Sequence, residues 1–278
     1  MANQNKLAHW LFSNKSVFNP RFTELDWPTT YFPGLYDFST TINFAEIIAE
    51  GRGVDTDRSL ALEKSVAEAI ERLIFYKRKI SFLGFAVSGQ NGAENHAYCE
   101  ALERYFLYVQ LKEKISFKPL EINSSDVNSS TQLDEFSKKI PQAKVSFYLM
   151  AAPAPFFGVV CLIEMHKLTN IFGFSLSKDL QNSITKSFRE SLANFAWHHS
   201  THITEHKVNQ TDQKNPPHLQ QEFISKITPL LARNNNKETI AIPDFERIEI
   251  NIADFPEFKT CPISPVGFLI KGQEIKLW

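Results

Sequence analysis

The sequence predicts an α+β fold from three features. Two stretches with helical periodicity, about residues 57 to 79 and 93 to 112, each follow a break at glycine. Two β-rich runs, Lys144 to Ala151 and Gly158 to Met165, are separated only by Ala152-Pro153-Ala154-Pro155, as neighbouring strands joined by a turn would be. Helices thus alternate with strand pairs on short turns, which favours helices packed on a sheet in an α+β layer.

Taken in order, residues 1 to 50 are aromatic and proline-bearing, and Phe44 to Ile48 reads as a strand or a short helix. Gly51-Arg52-Gly53 breaks the chain, and Thr56 and Asp57 can cap a helix running through Leu60, Val66, Ile70 and Ile74 to about Lys79. Phe82 to Ser88 reads as a strand. Asn91 with Glu94 forms a capping box for a second helix that ends near Lys112. Ile115 to Leu120 is a further strand, and Ile122 to Thr131, rich in Ser and Asn, a surface loop. Phe172-Gly173-Phe174 leads into a third helix, about Leu180 to Trp197, with Arg189 and Glu190 on it. A polar stretch from Thr204 to His218 precedes a short helix, Leu219 to Leu231. Strands near Ile240-Ala241-Ile242, Arg247 to Ile252 and Phe268 to Ile270 then complete the sheet.

The chain has 278 residues, 43% of them hydrophobic and 24 of them phenylalanine, enough for a substantial core. One domain over residues 1–278 is expected, with an acidic-helix core at about 50–195 and terminal strands at about 238–272. A formal net charge of −1 gives no general field for nucleic acid or an anionic membrane, so partners are recognised locally. Cys99, Cys161 and Cys261 are few and far apart, which suits a reducing, cytoplasmic setting. Trp10-Leu11-Phe12 is too short for a signal peptide, and no run reaches the length of a membrane span.

Chemistry is concentrated in one repeated string. Glu68-Ala69-Ile70-Glu71-Arg72 recurs as Glu100-Ala101-Leu102-Glu103-Arg104, thirty-two positions on (100 − 68 = 32). On a helix, each copy gathers two carboxylates and an arginine near one face. Such acids suit Mg²⁺, which takes a couple of carboxylates and usually arrives with phosphate, so the pattern points to a nucleotide site. As surface ion pairs alone they would contribute only about 0.2–0.5 kcal/mol each. Repetition inside apolar stretches, with Val66, Ile70 and Leu73 around one and Ala97, Leu102 and Phe106 around the other, argues for more than surface decoration.

Other motifs are weaker. His198, His199, His202, Glu205 and His206 include an i, i+4 pair that could bind zinc, but no His-Glu-x-x-His motif or nearby cysteine supports it. A polar helix end favoured by the C-terminal dipole is the better reading. His96 is either a packing residue or a nucleotide contact. No Walker-type lysine and serine follow Gly51-Arg52-Gly53, which on its own is a turn.

The string from Gly51-Arg52-Gly53 through Ser65 to Arg72, followed by Gly84-Phe85-Ala86 and His96 to Arg104, resembles the YcaO family. Gly173-Phe174 and the helix at Arg189-Glu190 are similar to that family's third element. The resemblance implies a YcaO-like sheet-and-helix core with an ATP site between two acidic helices. It also implies ATP- and Mg²⁺-dependent phosphorylation of a peptide backbone amide, in ribosomal peptide modification such as azoline formation or thioamidation. Arg52, Ser65, Glu68, Glu71, Arg72, Glu100, Glu103, Arg104 and Glu190 are the implied nucleotide contacts, and Glu68, Glu71, Glu100 and Glu103 the metal ligands. No residue is implied as catalytic. The implied partners are a peptide substrate and a protein that delivers it, with a homodimer left open. Departures from the family pattern are Gly92 before Ala93 where a glutamate is common, Lys64 where a serine is common, and Ala193 where a glutamine is usual. The Gly92 and Ala193 departures favour an alternative: a catalytically degenerate binding subunit of a peptide-modifying complex.

Overall fold

A computed structural model describes residues 6–26, 34–78, 84–87, 93–122, 130–165, 170–203, 217–231, 239–251 and 254–271. Its helices are α1 (Lys6–Ser13), α2 (Lys15–Phe18), α3 (Arg58–Arg78), α4 (Ala93–Lys112), α5 (Ser130–Lys139), α6 (Leu180–Ile203) and α7 (Pro217–Leu231). Its strands are β1 (Arg21–Glu24), β2 (Tyr36–Phe44), β3 (Ile47–Asp55), β4 (Gly84–Ala86), β5 (Lys118–Leu120), β6 (Ala143–Leu149), β7 (Phe157–Met165), β8 (Ile171–Ser177), β9 (Phe245–Glu249) and β10 (Val266–Ile270). Backbone contacts divide the chain into two compact units, Met1–Ala101 with Pro243–Lys276, and Leu102–Ile242 with Leu277–Trp278. Helices packed on antiparallel sheets make the fold α+β.

In the first unit, β1, β2 and β3 form an antiparallel sheet in which Phe38 pairs with Gly53, Thr40 with Gly51 and Ile42 with Ala49. These residues face α3, whose Val66, Ala69, Ile70 and Leu73 are fully buried. Burying each large apolar side chain contributes about 1.5–3 kcal/mol. Gly51 and Gly53 let the helix backbone rest on the strand, since a β-carbon at Gly51 would lie 2.2 Å from both Ser65 O and Ala69 N. Asp57 caps α3, its Oδ1 accepting from the amides of Ser59 and Leu60. A second sheet has the order β4-β10-β9.

Several sequence expectations change here. Phe44 to Ile48 is not one element but a hairpin, with Ala45 in the turn at φ 51°. Residues 6–18 are helical, held by burial of Leu7, Trp10 and Leu11 and by a bond from Trp10 Nε1 to Thr260 Oγ1. The amides of Leu7 and Ala8 at the start of α1 donate to the Glu63 carboxylate on α3, a cap supplied from outside the helix. The Asn91 capping box lies outside the described residues.

In the second unit the sheet order is β5-β6-β7-β8, all antiparallel, with Val160 opposite Phe174. Helix α6 covers β7 and β8 through Ile184, Phe188 and Leu192, and again a glycine allows close approach: a β-carbon at Gly173 would lie 2.2 Å from Ser187 O. Helix α5 begins inside the stretch read as a surface loop, fixed by Phe136, which packs edge-on against Phe188 and Phe195. Of the strand read from Ile115 to Leu120, only Lys118–Leu120 pairs; Ile115 and Phe117 are buried outside the ladder. Ile240-Ala241-Ile242 forms no strand, although Ile240 N donates to Ala151 O.

Candidate functional site

Both acidic helices form, and Glu68, Glu71 and Glu103 on them each accept a main-chain amide. Glu68 is half-buried on α3; its Oε2 accepts from the Arg52 amide at 2.6 Å and its Oε1 from Arg72 Nη2 at 2.5 Å. One turn further, Glu71 Oε1 accepts from the Val87 amide at 2.8 Å. On α4, Glu103 Oε2 accepts from the Leu176 amide at 3.0 Å, and on α6, Glu190 Oε2 accepts from the Phe174 amide at 2.8 Å. Helix-borne glutamates therefore meet main-chain N–H groups in or beside sheet strands. A bond to a charged acceptor is worth about 1.5–3 kcal/mol, and it fixes a side chain that is otherwise free to rotate.

Other residues predicted for the site are placed differently. The Arg52 guanidinium grips Asp37, through Nε at 3.0 Å to Oδ1 and 2.9 Å to Oδ2, and Asp37 is fully buried. Ser65 is also fully buried; its Oγ lies 2.7 Å from Thr40 Oγ1 and donates to Leu62 O. Arg52 and Ser65 thus serve the packing of α3 on its hairpin. Arg72 is exposed, and Glu100 and Arg104 are half-buried on α4. Among the described residues, no group of three or more His, Cys, Asp or Glu side chains is gathered as a metal cage. Side chains of residues 196–203, and residues 204–216 entirely, lie outside the described residues, and the histidine cluster falls there. Cys161 has its thiol pushed up to about 12 by burial, so it is no nucleophile at neutral pH.

Sequence reasoning missed Asp37, which carries no motif, and Lys186, which does. Lys64-Ser65-Val66-Ala67-Glu68 recurs as Lys186-Ser187-Phe188-Arg189-Glu190, and Lys186 stands exposed one turn before Glu190 with no ion-pair partner among the described residues.

Solved structures with the same architecture identify the fold. YcaO from Methanopyrus kandleri, bound with AMPPCP and Mg²⁺, superposes with a TM-score of 0.64 at 9% identity, over 96% of this chain and 90% of that one. The chain has a YcaO-like fold. A chain of the E. coli microcin synthetase McbBCD complex with pro-MccB17 bound matches with a TM-score of 0.59 at 13% identity, over 84% of each chain. A heterocyclase in complex with substrate and cofactor matches with a TM-score of 0.61 at 8% identity, over 97% of this chain but 52% of its own length. No family model matches the sequence, and a search of curated proteins finds no match. Among the described residues, no helix is long and apolar enough to cross a membrane.

Proposed function

We propose that the chain binds Mg·ATP at its acidic helices and uses it to activate a peptide backbone amide for ribosomal peptide modification. The carrying observation is that Glu68, Glu71, Glu103 and Glu190 are tethered to main-chain amides, on a fold shared with a YcaO bound to AMPPCP and Mg²⁺. The donor set fits. Mg²⁺ takes one or two carboxylates and fills its shell with water and phosphate oxygen, so a cage of three acids is not required. A carboxylate has about four acceptor sites, and one amide uses only one of them.

In this reading the one or two carboxylates that would hold a cation come from among Glu68, Glu71, Glu100 and Glu103, with Glu190 as a further nucleotide contact. Arg72, Arg104 and Lys186 meet phosphate oxygens, the guanidinium groups by paired bonds. Asp37 engages Arg52 and burial seals Ser65, so the reading rests on the other residues of the set. Bound ATP supplies the phosphoryl group that makes an amide oxygen a good leaving group. The tethered carboxylates keep negative charge at fixed points, so a bound Mg²⁺ would be met without reorganisation. A peptide substrate and a delivery protein belong to this proposal, supported by the neighbours solved with pro-MccB17 and with substrate.

Thermal unfolding with and without Mg·ATP tests it. At a hundredfold the dissociation constant, binding adds about 2.7 kcal/mol and raises the melting temperature by several degrees. Glu71→Gln with Glu103→Gln keeps an oxygen for the Val87 and Leu176 amides, so the apo protein should stay within about 0.5 kcal/mol while the Mg·ATP shift disappears. No shift in the unmodified chain would sink the nucleotide reading. Ala193, 8% exposed on α6 where α3 has Glu71, favours the degenerate binding subunit as second reading. Stabilisation by Mg·ATP without phosphate release, given peptide and the proteins encoded beside this chain, would select it.

A further inference from the structure

Three glycines make the same contact with three helices. A β-carbon would lie 2.2 Å from Ser65 O and 2.2 Å from Ala69 N at Gly51, 2.1 Å from Ala97 O and 2.5 Å from Ala101 N at Gly84, and 2.2 Å from Ser187 O and 2.4 Å from Ser191 N at Gly173. In each helix the residue just before the second small residue is a glutamate: Glu68, Glu100 and Glu190. For two of them the carboxylate accepts the amide that follows the glycine, Arg52 for Glu68 and Phe174 for Glu190, each sixteen residues away. The second glutamates obey a matching rule. Glu71 takes the amide of Val87, the third residue after Gly84, and Glu103 that of Leu176, the third after Gly173.

We infer that the chain carries three copies of one strand–helix module, in which Gly51, Gly84 and Gly173 are positioning residues that deliver Glu68, Glu100 and Glu190 to the next strand amide, Phe85 being the amide for Glu100. Contact this close is open only to glycine, because any β-carbon would drive the helix off the strand. Without it the glutamate, one helical position from the contact, would fall short of the amide. With it, one carboxylate lone pair is spent on placement and the others point from a fixed position. The use of those lone pairs for Mg²⁺ rests on the Mg·ATP reading; their placement rests on geometry alone.

Two substitutions at each glutamate separate placement from charge. Glu→Gln keeps an acceptor of the same reach and loses the charge, whereas Glu→Asp keeps the charge and is one methylene too short. Amide hydrogen exchange on the full apo chain, with the amides of β2 as reference for general loosening, reads the first property. Glu68→Asp should speed exchange at Arg52 by about fivefold or more, and Glu68→Gln should leave it within about twofold. Phe174 should respond in the same way to Glu190→Asp and Glu190→Gln, and Phe85 to Glu100→Asp and Glu100→Gln. Mg·ATP stabilisation should weaken in both substitutions, by misplacement in one and lost charge in the other. Amides at Arg52 or Phe174 indifferent to their glutamates, or at Phe85 indifferent to Glu100, would overturn the module. An unmodified chain that ignores Mg·ATP refutes the nucleotide reading instead, and the exchange pattern still decides the module.

Discussion

The β2–β3–α3 segment of the first unit and the β7–β8–α6 segment of the second reach one geometry with different chemistry. Each has a capping aspartate, Asp57 or Asp179, whose Oδ1 accepts the amide three residues on. Each has a buried serine donating to the carbonyl three residues back, Ser65 to Leu62 and Ser187 to Ile184. Each has a glutamate on the amide after a glycine. Around that skeleton the first segment is charged, with Arg52 on Asp37 and Lys64 on Asp55. In the second, Phe174 stacks on Phe172, Ser177 stands in place of Asp55, and Ala193 and Asn194 replace Glu71 and Arg72. Small residues, caps and glutamate–amide bonds therefore suffice for the geometry, and the ion pairs of the first segment are additions to it.

The largest expected effect tests whether one of those additions has become indispensable. Asp37 is fully buried and Arg52 is 24% exposed, so Asp37→Ala leaves a largely buried guanidinium without its partner. Loss of stability should be about 3–5 kcal/mol in urea unfolding. A loss under about 1 kcal/mol would mean that Arg52 turns to solvent freely, leaving the two segments energetically alike. A smaller effect should be common to both. Gly51→Ala and Gly173→Ala each force a β-carbon into backbone atoms, at an overpacking cost of about 1–3 kcal/mol. Similar losses at the two sites would support a shared skeleton. A loss at Gly51 alone would show that the likeness of the second segment is superficial.

Much of this was legible in the sequence, for physical reasons that also mark where legibility ended. Helices α3 and α4 announce themselves by periodicity, and the acids on them by repetition. The β2–β3 hairpin does not, because its turn uses Ala45 at a positive φ rather than glycine or asparagine. Helix α1 is too short to signal itself; its first amides are satisfied by Glu63, far along the chain, and Trp10 is held by Thr260. Helix α5 hides in a serine-rich stretch because a few buried side chains such as Phe136 decide it. The site divides in the same way. Glu68, Glu71, Glu103 and Glu190 could be read as candidates, but not their amide partners, since an amide has no residue type. The Asp37 partner of Arg52 was not legible either, because it lies on another strand.

The smallest effect is a pH dependence confined to the first segment, where Glu63 stands against Thr185 in the second. Burial raises the Glu63 pKa above its usual 4.5, and the amides of Leu7 and Ala8 partly oppose the shift. The folded state therefore holds this proton more tightly than the unfolded chain does. Stability from that proton is fully present below the unfolded value and is lost as pH rises through the raised folded value. The two amide bonds offset only part of the cost of desolvating the charged carboxylate. Glu63→Gln keeps an oxygen for one amide and removes the titration. Urea unfolding from pH 7 down to below 4.5 should show the unmodified chain gaining stability relative to the Gln variant, while Thr185→Val, at the matching place on α6, leaves the pH slope unchanged. Parallel pH profiles for the unmodified chain and Glu63→Gln would mean that water reaches this carboxylate in the folded state, and that the cap on α1 holds without burying charge.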